Sequence, residues 1–82
     1  MAKDQPTILV VEDEVAQREM LSYNLQSEGF DVIGAADGDE ALLLVAENYP
    51  DIIVLDWMLP GISGIEICRR LKTRTETSKI PV

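Results

Sequence analysis

The 82-residue chain contains no histidine, only one cysteine and only one tryptophan. Without histidine it cannot form a Ser-His-Asp triad, a Cys-His nucleophile pair or a histidine-based zinc site. The single cysteine, Cys68, cannot form an internal disulfide, and its place in an apolar helical pattern favours packing over catalysis. This cysteine usage favours a protein of the reducing cytoplasm.

Basic residues are also scarce, since 7 Lys and Arg stand against 15 Asp and Glu, which gives a net charge of −8. An acidic surface repels a phosphate backbone, so this segment is not expected to bind nucleic acid directly. No apolar run approaches the roughly 20 residues of a membrane-spanning helix, and the first residues lack the apolar core of a signal peptide. The length and composition predict one soluble domain at most, without a membrane partner.

Short apolar runs at residues 8–11, 30–35 and 52–55 predict three strands. The first and third runs are continuously aliphatic with polar neighbours, which is typical of strands buried on both faces of a parallel sheet. Residues 80–82, with the sequence Ile-Pro-Val, predict the beginning of a fourth strand.

Helices are predicted between these strands, the first over about residues 15–28. Asp37 with Glu40, and Ser63 with Glu66, have the spacing of capping boxes and predict the starts of the second and third helices. This alternation predicts an α/β fold with parallel strands joined by right-handed crossovers. The residues predicted to form the apolar helix sides are Ala16, Met20, Leu21 and Leu25, then Ala41, Leu42, Val45 and Ala46, then Ile65, Cys68 and Leu71.

Two of the predicted strands end in acidic residues, the first in Glu12 and Asp13 and the third in Asp56. Ligands of open α/β sheets bind at the carboxyl ends of the strands. If these two strands are neighbours, three carboxylates converge there and repel one another. A divalent cation relieves that repulsion, and hard oxygen ligands suit Mg²⁺.

A carboxylate beside such a metal also indicates phosphoryl transfer, because Asp can act as a nucleophile and form an aspartyl phosphate. Acids after a strand have a plainer role, since they often cap the following helix. That role is preferred for Glu14 and is as plausible as metal binding for Asp13 alone. It does not suit Asp56, because the helix that follows has its own cap at Ser63.

Three segments resemble the response-regulator receiver family, namely residues 8–14 (ILVVEDE), 37–42 (DGDEAL) and 51–64 (DIIVLDWMLPGISG). The Asp-Trp-Met-Leu-Pro form of the third segment, with residues 80–82, is similar to the phosphate-regulon branch of that family. The resemblance implies a flavodoxin-like (CheY-like) parallel sheet with strand order 2-1-3-4-5. The family has five strands and five helices. Residues 1–82 are therefore expected to be the N-terminal part of a single receiver domain, with three βα units and the start of a fourth strand.

The resemblance also implies a role for each acid. Asp56 matches the phosphoacceptor, and the phosphoryl group would come from a phosphohistidine of a partner sensor histidine kinase. Asp13 and Asp56 match direct ligands of Mg²⁺, whereas Glu12 matches an acid that acts through water. The backbone carbonyl of Met58 matches a further metal ligand.

In the family, a Ser or Thr and a Lys that contact the phosphoryl group, the switch aromatic and the DNA-binding domain follow the part that this chain resembles. We therefore expect weak Mg²⁺ binding, inefficient phosphorylation, and DNA contact only through a domain outside the chain. An open third strand would favour self-association. The alternative is a signalling-inactive fragment that only binds metal or self-associates. An enzyme is not expected, because phosphatases with an aspartyl nucleophile typically carry a second Asp where Met58 stands.

Overall fold

The computed structural model describes residues 5–56, 59, 61–75 and 78–82. Strands and helices alternate along the chain in the predicted order. The elements are β1 (Thr7–Val11), α1 (Val15–Ser27), β2 (Asp31–Ala35), α2 (Gly38–Asn48), β3 (Ile52–Leu55) and α3 (Gly64–Thr73). The predicted α/β class is confirmed, and each predicted boundary lies within a residue or two of the observed one.

The three strands form one parallel sheet in the order β2-β1-β3. Central β1 is buried along its whole length, as its continuous aliphatic sequence predicts. At the carboxyl end of the sheet, Val11 pairs with Ala35 of β2 on one side and with Leu55 of β3 on the other. This order corresponds to the first three strands of the flavodoxin-like arrangement.

The predicted fourth strand is represented by a single hydrogen bond. Residues 80–82 form no strand in the described part of the chain, yet the amide of Ile53 donates a 2.9 Å hydrogen bond to the carbonyl of Pro81. The end of the described chain therefore approaches β3 on the side away from β1. A single bond of this kind does not make a ladder.

The helix cap at α2 forms as the sequence predicts except that its second bond comes from Ala36 instead of Asp37, and the cap at α3 agrees only partly. The amide of Glu40 donates to Asp37 Oδ1 at 2.8 Å, and the Glu40 carboxylate accepts from the amide of Ala36 at 2.7 Å. At α3 the Ser63 hydroxyl accepts from the amide of Glu66 at 3.2 Å. The predicted second bond, in which the Glu66 carboxylate would accept from the amide of Ser63, is replaced by other bonds of that carboxylate.

Glu66 turns instead toward two arginines of its own helix. Its carboxylate accepts from Arg69 at 2.6 Å and from Arg70 at 3.0 Å. Charge-assisted bonds of this kind are stronger than a bond to a neutral amide. The second capping box is therefore incomplete, and Glu66 has a pKa below its ordinary value because of Arg69 and Arg70.

The hydrophobic core lies between the sheet and the helices α2 and α3. It is built from the buried side chains of Leu9, Val11, Ala35, Ala41, Val45, Ile53, Leu59, Ile67, Leu71 and Ile80. The predicted buried face of α3 is partly wrong, because Ile65 is 65% exposed whereas Ile67 is buried. A Cβ atom at Gly38 would come within 2.8 Å of Ile67 Cδ1. The close approach of α2 to α3 therefore turns Ile67, with Leu71, toward the core.

The predicted apolar side of α1 is also partly wrong. No residue of α1 is fully buried, and Met20 is 58% exposed, although Leu21 and Leu25 are half-buried. This helix packs on β1 and β2, while α2 and α3 contact each other. Because no other described helix lies beside α1, its outer apolar residues have little to pack against. Within the described residues, none of the helices has the length and apolar character needed to span a membrane.

Candidate functional site

The carboxyl ends of β1 and β3 lie side by side and bring their acidic residues together. The amide of Asp56 donates to the carbonyl of Val11 at 3.1 Å, and the amide of Glu12 donates to the carbonyl of Ala35 at 3.0 Å. These bonds continue the parallel ladders by one residue beyond each strand. The positions of Glu12 and Asp56 are therefore fixed by the sheet rather than by a loop.

The three predicted carboxylates form one acidic cluster, which consists of Glu12, Asp13 and Asp56. One oxygen from each side chain lies within 4.8 Å of an oxygen from each of the others. Glu12 is buried, Asp56 is half-buried and Asp13 is exposed. The convergence expected from neighbouring strand ends is thus present, and the cluster opens to solvent on the side of Asp13.

Crowding of the carboxylates changes the protonation of the most buried one. Burial raises the pKa of Glu12 above its ordinary value, and a hydrogen bond shared with Asp56 raises it further. The amide of Glu14, which donates to Glu12 Oε2 at 3.5 Å, acts in the opposite direction and is too weak to cancel the increase. The folded protein therefore holds an ionised Glu12 at a cost in free energy.

This cost predicts how folding stability depends on pH in the absence of divalent cations. Between the ordinary pKa of Glu12 and its raised pKa, the folded state binds more protons than the unfolded state, so stability falls as pH rises through that window. Glu12→Gln removes this contribution. At neutral pH the variant is expected to be more stable than the wild type by on the order of 1 kcal/mol, the Coulomb energy of two carboxylates about 4 Å apart in water.

Urea unfolding of both proteins between about pH 4 and pH 8, in buffer with a metal chelator, measures this difference. Glu14→Gln is the matched control, because it neutralises the same residue type two positions away with an exposed side chain. If Glu12→Gln has the same stability profile as the wild type over this range, the inferred repulsion in the acidic cluster is wrong.

Two predictions about individual residues near the cluster have different outcomes. Glu14 occupies the N-cap position of α1, as its preferred role predicts, but its side chain makes no capping hydrogen bond. Met58 lies outside the described residues, as do Trp57 and Pro60. The proposed contribution of the Met58 carbonyl therefore stays a prediction.

One neighbour of the cluster was missed by sequence reasoning. Arg18 of α1, which the helical pattern assigns to the solvent side, donates from Nη1 to the backbone carbonyl of Glu12 at 2.8 Å. Its position six residues after Glu12 gave no signal, because a lone arginine on an amphipathic helix normally faces water. The contact depends on how α1 is placed on the sheet.

The donors that the described residues bring to this site are carboxylate oxygens, and Asp56 is partly accessible from solvent. Such a set suits a small hard cation, which would offset the mutual repulsion of the acids. A half-buried aspartate at the end of a strand can also act as a nucleophile toward an incoming electrophile. The geometry is therefore compatible with cation binding and with group transfer to Asp56.

Comparisons with known proteins show which family the sequence matches. Residues 8–82 match the family described as the response regulator receiver domain. The phosphate regulon transcriptional regulatory protein PhoB of Rhizobium meliloti (strain 1021) is 54% identical over 77 residues, which are 94% of this chain and 34% of that protein. The chain thus spans about a third of the length of the curated relatives it matches.

Two solved structures show the same architecture. The chemotaxis response regulator CheY4 of Vibrio cholerae superposes with a TM-score of 0.90 at 31% identity, over 94% of this chain and 64% of that one. The response regulator TrrA from Thermotoga maritima, solved in complex with Mg(2+)-BeF, superposes with a TM-score of 0.84 at 38% identity. That match covers 88% of this chain and 63% of TrrA. The predicted CheY-like fold is therefore confirmed.

Proposed function

The chain belongs to the response regulator receiver family of two-component systems, and we propose that its Asp56 accepts a phosphoryl group from a sensor histidine kinase with the help of Mg²⁺. The observation that carries this proposal is the acidic cluster. Three carboxylates from two strand ends lie within 4.8 Å of one another, and Asp56 is the member that follows β3 and is only half-buried. Mutual repulsion of the acids favours a bound cation, and exposed Asp13 and half-buried Asp56 leave the cluster accessible from solvent.

Each member of the cluster has a distinct proposed role. Asp13 is exposed and Asp56 half-buried, so both can offer an oxygen directly to Mg²⁺. Buried Glu12 would act through a metal-bound water, and the backbone carbonyl of Met58 would supply a further ligand. The relative TrrA, which was solved with Mg(2+)-BeF, supports this choice of ion. When bound, Mg²⁺ would neutralise charge on the transferred phosphoryl oxygens.

The transfer step itself needs little covalent chemistry from the protein. A carboxylate oxygen of Asp56 attacks the phosphorus atom of the phosphohistidine, an O–P bond forms and the P–N bond breaks. The electron pair of the broken bond returns to the imidazole nitrogen, which the kinase retains. Glu12 and Asp13 remain unchanged and keep Asp56 oriented toward the donor.

The wider role proposed for the chain follows its relatives. Residues 1–82 form the N-terminal part of a single receiver domain in the cytoplasm, and output on DNA passes through a separate domain. Support comes from the relative PhoB, a transcriptional regulatory protein of which this chain covers 34%. A net charge of −8 agrees with a segment that does not itself touch DNA.

Incubation with Mg²⁺ and acetyl phosphate, followed by mass spectrometry of the intact protein, tests the proposed phosphoacceptor. A Mg²⁺-dependent gain of one phosphoryl mass supports the proposal. Labelling that is equal with Mg²⁺ and with a chelator, or no labelling at saturating Mg²⁺, contradicts it. A small-molecule donor isolates the chemistry of this chain from recognition by a kinase.

A second proposed property of the 82-residue chain is self-association along β3. Residues Ile52 and Val54 of this strand are 37% and 39% exposed. Together with Ile53, Leu55, Cys68 and Val82 they line a groove of about 370 Å³. Among the described residues, the hydrogen bond from Ile53 to Pro81 is the one backbone contact at this edge. An apolar strand edge of this kind is a template for pairing with a second copy.

Sedimentation velocity over a range of concentrations should show a monomer–dimer equilibrium for the wild type. Val54→Lys places a charge on the strand and should shift this equilibrium toward monomer. Leu43→Lys is the matched control, because Leu43 is 58% exposed on α2, away from the groove. A wild type that stays monomeric at high concentration would refute self-association, as would an equal effect of the two variants.

A further inference from the structure

Arg18 contacts the peptide that joins two members of the acidic cluster. Its guanidinium Nη1 donates a 2.8 Å hydrogen bond to the carbonyl of Glu12, and that carbonyl belongs to the peptide between Glu12 and Asp13. The direction of this peptide sets where both acidic side chains leave the backbone. Arg18 thus binds the backbone between the two acids, and the group that accepts its hydrogen bond is a neutral carbonyl.

Gly34 of β2 provides the space through which Arg18 reaches this carbonyl. A Cβ atom at Gly34 would lie 3.2 Å from Arg18 Cδ and 3.5 Å from both Cγ and Nε. Gly34 pairs with Val10 of β1, so the arginine stem crosses the sheet just before the strand ends. The backbone does not require glycine here, because the positive-φ glycines of the described chain are Gly29 and Gly61. The absent side chain at Gly34 therefore serves the arginine.

We propose that Arg18 and Gly34 are a positioning pair for the acidic cluster. Gly34 lets the arginine stem lie flat on β2, and the guanidinium holds the Glu12–Asp13 peptide so that both carboxylates face Asp56. The consequence for Mg²⁺ rests on the proposed function. The restraint on the Glu12–Asp13 peptide does not rest on the proposed function, because it exists in the metal-free protein.

The effect of removing Arg18 on Mg²⁺ affinity has opposite signs depending on whether the arginine acts by positioning the acids or by its charge. A cation beside the acidic cluster repels Mg²⁺, so if charge were its main effect, removing it would strengthen Mg²⁺ binding. If Arg18 holds the peptide in place, removing it leaves the acids less well oriented and weakens binding. Loss of an outer partner that orients metal ligands typically lowers affinity by about 10- to 100-fold.

Arg18→Met and Gly34→Ala separate the two halves of the pair. Methionine keeps an unbranched apolar stem over Gly34 and removes the donors, whereas alanine keeps the arginine and displaces its stem by a few tenths of an ångström. Arg69→Met is the charge-matched control, because Arg69 is an exposed residue of α3. Mg²⁺ titration through Trp57 fluorescence at about 0.15 M salt limits long-range charge effects.

The dissociation constant of Mg²⁺ is expected to rise about tenfold in Arg18→Met, to rise less in Gly34→Ala and to stay unchanged in Arg69→Met. The urea midpoint of Gly34→Ala should equal or exceed that of the wild type, because alanine restricts the unfolded chain. Weaker binding in a protein that is no less stable would show that Gly34 acts through the arginine.

Amide hydrogen exchange in metal-free buffer supplies a readout independent of Mg²⁺. The amide of Asp13 belongs to the peptide that Arg18 holds, and it should exchange faster in Arg18→Met than in the wild type or in Arg69→Met. Unchanged exchange at Asp13 overturns the proposal, as does a Mg²⁺ affinity of Arg18→Met equal to or above that of the wild type. If the wild type binds no Mg²⁺, the proposed function fails and the exchange result alone decides on the pair.

Discussion

Asp56→Asn is expected to reduce Mg²⁺-dependent phosphorylation by acetyl phosphate to the background level. Asparagine has nearly the same shape as aspartate, but its amide lacks the nucleophilic carboxylate oxygen. The position is held by the hydrogen bond from the amide of residue 56 to the carbonyl of Val11, which the substitution leaves in place. The variant should therefore lose the reaction and keep the sheet.

The measurement is the phosphorylated fraction of intact protein by mass spectrometry, taken at several times. Asp39→Asn is the matched control, because it makes the same chemical change at an exposed position in the first turn of α2. It should be labelled at the wild-type rate. Labelling of Asp56→Asn at a rate close to that of the wild type would mean that another group accepts the phosphoryl.

The folding stability of Asp56→Asn shows whether a loss of phosphorylation could result from unfolding. Removing one of three crowded carboxylates lowers their mutual repulsion, so the variant should be at least as stable as the wild type without Mg²⁺. Loss of phosphorylation could then not be attributed to unfolding. A variant that is both unlabelled and unfolded would contradict the inferred electrostatics.

Mg²⁺ at a concentration far above its dissociation constant is expected to stabilise the wild type and to stabilise Asp13→Asn hardly at all. A ligand that binds only the folded state stabilises it by RT ln(1 + [L]/Kd), which is about 2.7 kcal/mol at one hundred times Kd. For a domain of this size, that corresponds to a rise in Tm of about 10–20 °C. Asp13 is exposed, so its replacement removes a proposed ligand without disturbing the core.

Thermal unfolding followed by circular dichroism, with and without Mg²⁺, provides the comparison. Glu14→Gln is the control, since it neutralises the adjacent exposed acid, which lies outside the acidic cluster. Its Mg²⁺ shift should match that of the wild type. Equal shifts in wild type, Asp13→Asn and Glu14→Gln would indicate diffuse screening of the negative charge, and the proposed site would be abandoned.

The order of the elements was predictable because each of them has a local signal. Continuous aliphatic runs predicted β1 and β3, and the spacing of Asp37 and Glu40 predicted the start of α2. The acidic cluster followed from two of these predictions together, since neighbouring parallel strands place their ends at one edge. Its metal and phosphoryl chemistry remain predictions, because position alone does not test them.

The incorrectly predicted helix faces depend on relations between elements. Ile65 and Ile67 are both apolar residues of one helix, and their spacing does not show which of them meets the core. That choice depends on how closely α2 approaches at Gly38, which is a tertiary property. The contact of Arg18 with Glu12 belongs to the same class, because it requires α1 to lie across β2.

The uneven burial of the helices has a consequence for motion. Proteins open locally where few apolar contacts hold a segment, and α1 has no fully buried residue, whereas β1 is buried throughout. Partial detachment of α1 would withdraw Arg18 while the ladders of the sheet stay intact. The turn between β1 and α1 therefore joins a strand that is buried throughout to the one described helix that has no fully buried residue. The first local opening at this end of the sheet should loosen Glu12 and Asp13 before it reaches Asp56.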